Sequence, residues 1–184
     1  MVDDIRPGSA SSVPQEFIVY KNRLYFVANN GSDGFELWSY DGRGDPSMVA
    51  DLHDGPASAG IQDIIKYENR LYFNALQSGA GMELFSYDGK GEPSMVADIY
   101  EGPASSDPKA LTVFNNSLYF QANSAQTGEE LWKYKCMTQR DTLSVSRCNS
   151  YTVPSGDETY TKGGTYTDTI PNAHGCDSIL TINQ

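Results

Sequence analysis

The feature that most constrains this chain is a sequence repeat with a spacing of 47 residues. The tripeptide Leu24-Tyr25-Phe26 returns as Leu71-Tyr72-Phe73 and again as Leu118-Tyr119-Phe120. The tripeptide Glu36-Leu37-Trp38 returns as Glu83-Leu84-Phe85 and as Glu130-Leu131-Trp132. Three copies that align without an insertion predict three structural units with equivalent packing.

Each copy has the pattern of four short β-strands separated by turn residues, and no segment favours a helix. In the first copy the predicted strands are residues 16–20, 23–28, 36–40 and 47–52. A four-stranded unit of about 40 to 50 residues has the size of one β-propeller blade. We therefore predict an all-β fold, with β-propeller-like four-stranded blades over residues 1–138. A linear array of such sheets is the alternative.

Two of the repeats resemble a known sequence motif. Residues 36–42 and 83–89 resemble the ELWxxDGT repeat of large secreted bacterial proteins, and the resemblance covers residues 1–135. Arg43 and Lys90 replace the threonine of that motif, and Lys135-Cys136 replaces Asp-Gly in the third copy. The third copy is therefore expected to be a terminal unit that lacks its last strand.

We expect structural roles for the repeated acidic and aromatic residues, which are Glu36, Trp38, Asp41, Glu83, Phe85, Asp88, Glu130 and Trp132. Because side chains alternate along a strand, Leu37 and Trp38 should face opposite sides of the sheet. The glutamates are placed to accept hydrogen bonds from turn amides, and the aspartates to close the next hairpin. Binding of a metal or ligand by these acids is the alternative.

Three sheets side by side leave an exposed edge and an uncovered apolar face at each end, whereas propellers have about four to eight blades. Met1, Val2, Asp3 and Asp4 align with residues 48–51 and 95–98, which belong to the last predicted strand of a unit. We expect these four residues to be an assembly strand that completes the third unit of another copy. Two chains joined head to tail would close a six-bladed ring, and further blades of a longer parent protein are the alternative.

Residues 139–184 form a second region, rich in Thr, Ser, Tyr, Gly and Asn, that is predicted to be a small β-sandwich-like module. Its predicted strands are residues 142–147, 150–153, 159–162, 165–170 and 178–183, with Gly163-Gly164 as a hairpin turn. The three cysteines lack the spacing of a zinc site, and we expect a Cys148–Cys176 disulfide with Cys136 left over. Such a bridge indicates an oxidising compartment outside the cytosol.

Parts of this module resemble modules of secreted adhesins from gliding, surface-attached bacteria. Residues 148–152, 160–169 and 175–179 are similar to the patterns CxSYTW, YTxSGTYTDT and GCDSI. The similarity covers nearly all of residues 140–184, although Val153 stands where the pattern usually has tryptophan. In those proteins the modules are spacers or stalks, which implies an extracellular or cell-surface location.

The charge of the chain argues against nucleic acid and membrane partners. The formal net charge is −11, and the 13 basic residues are scattered rather than clustered. Such a field repels phosphate backbones and anionic lipids. No apolar run approaches the roughly 20 residues of a membrane span. Residues 1–4 do not resemble a signal peptide, so if the protein is secreted, its targeting segment is expected outside this sequence.

Several short motifs have simpler structural explanations. Arg43-Gly44-Asp45 matches the tripeptide that integrins recognise, but Lys90-Gly91-Glu92 in the second copy indicates only a charged turn. Residues 29–34 and 54–55 resemble calcium loops but lack the ligand number of an EF-hand. His53 and His174 belong to no recognisable catalytic pattern.

The sequence therefore predicts no enzyme and no cofactor, with calcium binding as an alternative. Our first hypothesis is a non-enzymatic extracellular structural or adhesive subunit that assembles with copies of itself. The second is a lectin-like module that binds cell-surface glycans. The aromatic candidates for such contacts lie outside the repeat register and are Phe35, Tyr100, Tyr160 and Tyr166.

Overall fold

The computed structural model describes residues 1–136, 140–144, 151–152, 159–171 and 177–183. The regular secondary structure in these ranges consists of β-strands, so the predicted all-β class is confirmed. The chain divides into two compact units, Met1–Lys135 and Cys136–Gln184. Among the described residues, no helix is long and apolar enough to cross a membrane.

The first unit consists of three antiparallel sheets, one for each sequence repeat. The first sheet contains β1 (Gln15–Tyr20), β2 (Arg23–Asn29), β3 (Phe35–Tyr40) and β4 (Ser47–Ala50). The second sheet contains β5 (Gln62–Tyr67), β6 (Arg70–Gln77), β7 (Gly81–Tyr87) and β8 (Ser94–Ala97). The third sheet contains β9 (Lys109–Phe114), β10 (Ser117–Ser124) and β11 (Gly128–Tyr134). Within each sheet the strands pair in chain order, so the predicted four-stranded units are confirmed for the first two copies.

The predicted strands of the first copy match β1, β2 and β3 to within one residue at each end. The fourth strand is shorter than predicted, because β4 ends at Ala50 and not at residue 52. Its pairing with β3 shifts register between Leu37 and Trp38, and beyond that point the amide of Leu52 binds a side chain. An alternation pattern in sequence does not reveal such a shift.

Two-residue turns close the first hairpin of the first and third sheets. Lys21 and Asn22 have φ angles of 45° and 59°, and Asn115 and Asn116 have φ angles of 46° and 53°. Positive φ at both central residues is the type I′ turn, whose twist matches that of the paired strands.

The third sheet has three strands among the described residues. Strands β4 and β8 pair with β3 and β7, but β11 has no strand on its outer side in this part of the chain. That the third copy lacks its last strand stays a prediction. A strand edge that no described strand pairs is a place where another strand can add.

The largest core lies between the first and second sheets. Apolar residues of the first sheet pack against those of the second, and the connecting segment fills the space between them. The main members are Tyr25, Val27 and Leu37, then Leu52, Ala59 and Ile61, and finally Leu71, Phe73 and Phe85. Burying one large apolar side chain contributes about 1.5–3 kcal/mol. The first strands β1, β5 and β9 contact one another in series, so neighbouring sheets meet at the same edge.

The two faces of the first sheet serve different packing layers. Leu37 belongs to the core between the sheets. Trp38 lies on the opposite face with Phe26 and Met48. The opposite orientation predicted for this pair is therefore confirmed.

The second unit contains β12 (Arg140–Ser144), β13 (Tyr151–Thr152), β14 (Thr159–Tyr160), β15 (Thr165–Pro171) and β16 (Asp177–Asn183). Strand β16 lies between β12, to which it is parallel, and β15, to which it is antiparallel. The predicted hairpin at Gly163-Gly164 is wrong, because β14 pairs with β13 while β15 belongs to the other sheet. The two glycines connect two sheets.

Cys136 is the one cysteine among the described residues. It is buried at the end of the repeat unit's sequence and takes part in a disulfide bond. The expectation that Cys136 is left over is therefore wrong. Cys148 and Cys176 lie outside the described residues. The predicted Cys148–Cys176 bridge stays a prediction.

A pair of equivalent glycines tests how closely the connecting segment approaches the sheet. Gly81 and Gly128 both have φ near +73°, but a Cβ at Gly81 would overlap the carbonyl oxygen of Ala104. A Cβ at Gly128 would meet nothing within 4 Å. We expect Gly128→Ala to lower the free energy of unfolding by about 1–2 kcal/mol, the usual cost of left-handed backbone. Gly81→Ala should cost about 1–3 kcal/mol more, because of the added overlap.

Urea unfolding followed by tryptophan fluorescence measures both variants, since Trp38 and Trp132 lie in this unit. Equal losses for the two variants would contradict the close approach at Gly81.

Candidate functional site

The first sheet holds the segment that follows it through a buried glutamate. Glu36 lies on β3, and its carboxylate accepts hydrogen bonds from the amides of Leu52 at 3.0 Å and Ala59 at 2.9 Å. The side chain is fully buried. A buried carboxylate needs such donors, because otherwise it loses its hydration without compensation. Glu36 therefore fixes two points of the connection between the first two sheets.

The second sheet repeats this arrangement. Glu83 on β7 is also fully buried, and it accepts hydrogen bonds from the amides of Ile99 at 3.0 Å and Ser106 at 2.9 Å. The hydroxyl of Ser106 donates to the same carboxylate. Ile99 and Ser106 follow Leu52 and Ala59 by one repeat length. We call this arrangement, a buried strand glutamate bound by two amides of the following segment, the glutamate clamp.

A serine adds a further bond beside each clamp. The hydroxyl oxygen of Ser58 accepts the amide of Phe35 at 3.0 Å. The hydroxyl oxygen of Ser105 accepts the amide of Met82 at 2.9 Å. These bonds join the start of the clamped strand to the end of the loop. The loop is therefore attached to the preceding sheet at three places.

Each clamped loop also contains a hydrogen bond of its own. The amide of Gly55 donates to Asp51 at 3.0 Å, and the amide of Gly102 donates to Asp98 at 3.1 Å. In the segment before the first sheet, the amide of Gly8 donates to Asp4 at 3.2 Å. The three glycines share a positive φ, at 87°, 93° and 104° for Gly55, Gly102 and Gly8. Residues 4–8 thus have the shape of a clamped loop, although no described glutamate binds them.

The third copy keeps the residues of the clamp but exposes them. Glu130 on β11 is exposed, and its carboxylate has no hydrogen-bond partner in the described part of the chain. Its neighbour Leu131 is 76% exposed, whereas Leu37 and Leu84 at the same repeat position are 0% and 1% exposed. Strand β11 therefore presents an open clamp and an uncovered leucine. We call this surface the acceptor face.

The outer face of the first sheet is open in a complementary way. A groove of about 220 Å³ lies between residues 1–14 and this face, and its apolar lining includes Ile5, Phe17, Phe26 and Tyr40. Phe17 is 60% exposed. These four residues precede Leu52, Ile64, Phe73 and Tyr87 by one repeat length, and those four pack in the core between the sheets. We call this surface, with residues 1–14, the donor face.

Met1, Val2, Asp3 and Asp4 form no strand in the single chain. Met1 and Val2 are exposed, and Val2 and Asp3 line the groove. In the equivalent segments, β4 and β8 include residues 48–50 and 95–97, so Met1, Val2 and Asp3 stand at the positions of a last strand. The role of Met1–Asp4 as an assembly strand stays a prediction.

The repeated aspartates shape the turn after the clamped strand. Asp41 accepts the amide of Arg43 at 2.9 Å, and Asp88 accepts the amide of Lys90 at 2.8 Å. Each also lies 3.9 Å from an arginine of its own sheet, namely Arg23 and Arg70. The carboxylates are thus engaged in local structure.

The repeated aromatic residues have packing roles. The indole nitrogens of Trp38 and Trp132 donate to the carbonyl oxygens of Ala28 and Ala122 at 3.1 Å and 2.9 Å. Phe85 stacks on Phe73 in the core.

Calcium and glycan contacts gain no support from the geometry. No group of three or more metal-binding side chains occurs among the described residues. In the loop at residues 29–34, Asn30 donates to Asp33 and the side-chain oxygens of Asn29 and Asn30 accept backbone amides. Phe35 packs against the core, and Tyr160 and Tyr166 stack on each other at 3.7 Å. Phe35, at least, is therefore engaged within the fold.

Comparison with known proteins gives limited information. No family model matches the chain, and no curated protein matches it. Among solved structures, it is similar to AtxE2 isopeptidase, both without ligand and as an S527A variant with astexin3-dC4 bound. These matches have a TM-score of 0.47 and 12% identity over 94% of this chain. A structure from an analysis of two prolyl endopeptidases matches with a TM-score of 0.44 and 13% identity over 90% of this chain. The chain spans 25% or less of the length of these proteins.

Equivalent glutamates test the energetic importance of the clamp. Glu83→Gln replaces one acceptor oxygen with an amide group, which leaves a buried backbone N–H without a partner. We expect the free energy of unfolding to fall by about 1–3 kcal/mol. Glu130→Gln is the matched control and should change it by less than about 0.5 kcal/mol, because the residue is exposed. Urea unfolding at a concentration where the chain is monomeric measures both, and similar losses for the two variants would contradict the clamp.

The clamp should also make stability depend on pH. Burial raises the pKa of Glu36 to about 7, and Asp51 and Asp33 add to this effect while the amides of Leu52 and Ala59 oppose it. A carboxyl group whose pKa is higher in the folded state stabilises the fold at low pH, and this contribution is lost as pH rises from about 4.5 to about 7. We expect a loss of about 2–3 kcal/mol over this range.

The measurement is the free energy of unfolding between about pH 5 and about pH 8 for the wild-type chain and for Glu36→Gln. The difference between the two proteins should change across this range, because glutamine does not titrate. A difference that is independent of pH would show that Glu36 keeps an ordinary pKa.

Proposed function

We propose that this chain is a non-enzymatic extracellular structural or adhesive subunit whose three sheets are blades of a β-propeller completed by further blades. The observation that carries the proposal is the exposed Leu131 beside the open glutamate clamp of Glu130, at positions buried in the two preceding copies. Exposed apolar faces of this kind are typical of interaction surfaces. The missing blades come from another copy of the chain, or from a longer parent protein.

The propeller arrangement is supported by the way the sheets meet. The first and second sheets share one apolar core, and the first strands β1, β5 and β9 contact one another in series. In propellers, sheets pack this way around a central axis, and several blades are needed before the ring closes. Two chains of three blades each would make six.

An extracellular location rests on the sequence resemblance to secreted proteins and on Cys136, which is disulfide-bonded. Disulfides persist mainly in oxidising compartments. The repeated acids support a structural role over a catalytic one, since Glu36, Glu83, Asp41 and Asp88 bind backbone amides of this chain.

Light scattering on the purified chain tests the assembly on which the function depends. We expect a mass above that of the 20.2 kDa monomer at micromolar concentration, in buffer without sugar or calcium. Chelator should not change the mass. A well-folded chain that stays monomeric up to about 100 μM, a range in which interfaces of standard size associate, would contradict self-assembly. Glycan-array binding by such a monomer would favour the lectin-like alternative instead.

A further inference from the structure

We infer that the acceptor face of one chain binds the donor face of a second copy, with residues 1–14 of that copy closing the open clamp at Glu130. This inference rests on the proposed function and identifies the partner and the contacts. Each contact is obtained by carrying an observed contact between neighbouring sheets forward by one repeat.

The amides of the donor face match the open carboxylate. In the first two copies, the clamped amides follow the glutamate by 16 and 23 positions. The positions 16 and 23 residues after Glu130, moved back by three repeat lengths, are those of Ile5 and Ser12. Neither amide has a hydrogen-bond acceptor among the described residues. Ser11 precedes Ser58 and Ser105 by whole repeats, so its hydroxyl, which accepts the amide of Val13 at 3.3 Å in the single chain, stands at the position that accepts the amide of Glu129.

The backbone of the donor segment is already held at Ser12 as the clamped loops are held at Ala59 and Ser106. The carbonyl oxygen of Ser12 already accepts the amide of Asn29 at 3.0 Å. In the later copies, the carbonyls of Ala59 and Ser106 accept the amides of Leu76 and Asn123 at 2.7 Å. Ser12 is thus attached to its own sheet as Ala59 and Ser106 are attached to theirs. A preorganised segment loses little conformational entropy on binding.

The apolar surfaces also fit each other. Leu37 is buried in the core that Leu52, Ile64, Phe73 and Tyr87 help to form. Leu131 takes the place of Leu37 in the acceptor face, and Ile5, Phe17, Phe26 and Tyr40 take the places of the other four in the groove. The leucine of one copy therefore enters the groove of the next.

A polar pair distinguishes this junction from a general apolar contact. In the second sheet, the side-chain amide of Asn74 donates to the carbonyl oxygen of Pro108 at 2.9 Å. Gln121 stands at the position of Asn74, and Pro14 stands at the position of Pro108. The first sheet has Val27 at this position, opposite Ile61 in the same core. A side-chain amide therefore stands opposite a proline carbonyl, and an aliphatic side chain stands opposite isoleucine.

Two positions depart from the repeat. Tyr20 and Tyr67 donate hydroxyl hydrogen bonds to the carbonyl oxygens of Asn69 and Asn116 in the next sheet. Phe114 stands at the equivalent place and has no hydroxyl group. Lys133 replaces a serine and lies over the ring of Tyr119 at 5.7 Å. The new junction therefore has fewer hydrogen bonds than the internal ones, which suits reversible assembly.

Complementation between two blocked variants tests this pairing. Leu131→Asp blocks the acceptor face and leaves the donor face intact, whereas Phe17→Asp does the reverse. Val113→Asp is the control, an exposed apolar residue of β9 at the position where the second sheet has the exposed Lys66. Sedimentation velocity measures association of each full-length variant alone and of mixtures. Far-UV circular dichroism checks folding, and Glu130→Gln is the milder substitute if Leu131→Asp does not fold.

We expect Leu131→Asp and Phe17→Asp alone to associate at least about 30-fold more weakly than wild type, because each buries a carboxylate in place of an apolar side chain. An equimolar mixture should form a dimer with one junction, since each variant keeps one intact face. Val113→Asp should associate like wild type.

If Leu131→Asp associates as strongly as wild type, the pairing is overturned and the proposed function still stands. Two impaired variants that do not form a dimer when mixed would show that the acceptor and donor faces do not pair with each other, which also overturns it. Wild type that never associates would overturn this inference together with the self-assembly on which it rests.

Discussion

A carboxylate that is buried in one sheet and bound by the backbone of the next segment is the interaction on which the rest of the structure depends. Glu36 and Glu83 have no solvent access, so their oxygens require donors from the protein. The donors come from loops that would otherwise have unpaired amides beside the sheet. The buried carboxylate needs the loop amides as donors, and the amides need the carboxylate as acceptor. Sheet and loop are therefore coupled. Because the loop also packs on the following sheet, the clamp fixes the position of one sheet relative to the next.

This coupling explains why the two ends of the repeat unit are open. The second sheet offers a clamp to the loop that follows it and carries the loop that the first sheet clamps. The third sheet offers a clamp with no loop among the described residues, and the first sheet carries a loop with no clamp. The exposed Leu131 and the groove lined by Phe17 and Phe26 are the apolar counterparts of the same mismatch. Repeat proteins commonly cover such ends with polar caps, and here the ends are apolar.

Much of the fold could be predicted from sequence, because the repeat makes local patterns redundant. Three aligned copies gave the sheets, and alternation placed Leu37 and Trp38 on opposite faces. The amides that bind Glu36 could not be identified, because they lie 16 and 23 residues away across a register shift in β4. The recurrence of the glutamates at one repeat position was the available signal. It indicates a role for these residues but does not identify the amides that bind them. The second unit was harder to predict, because the parallel pairing of β12 with β16 and the disulfide of Cys136 depend on contacts distant in sequence.

Amide hydrogen exchange measured by NMR on the dilute chain tests the central claim most directly. If the clamp couples each sheet to the following loop, the amides of Leu52, Ala59, Ile99 and Ser106 exchange only when the sheets separate. The amides of Ile5 and Ser12, at the same repeat positions but without a clamp, should then exchange at least about 100-fold faster. Equal protection at all six amides, or rapid exchange at Leu52 and Ala59, would contradict the account.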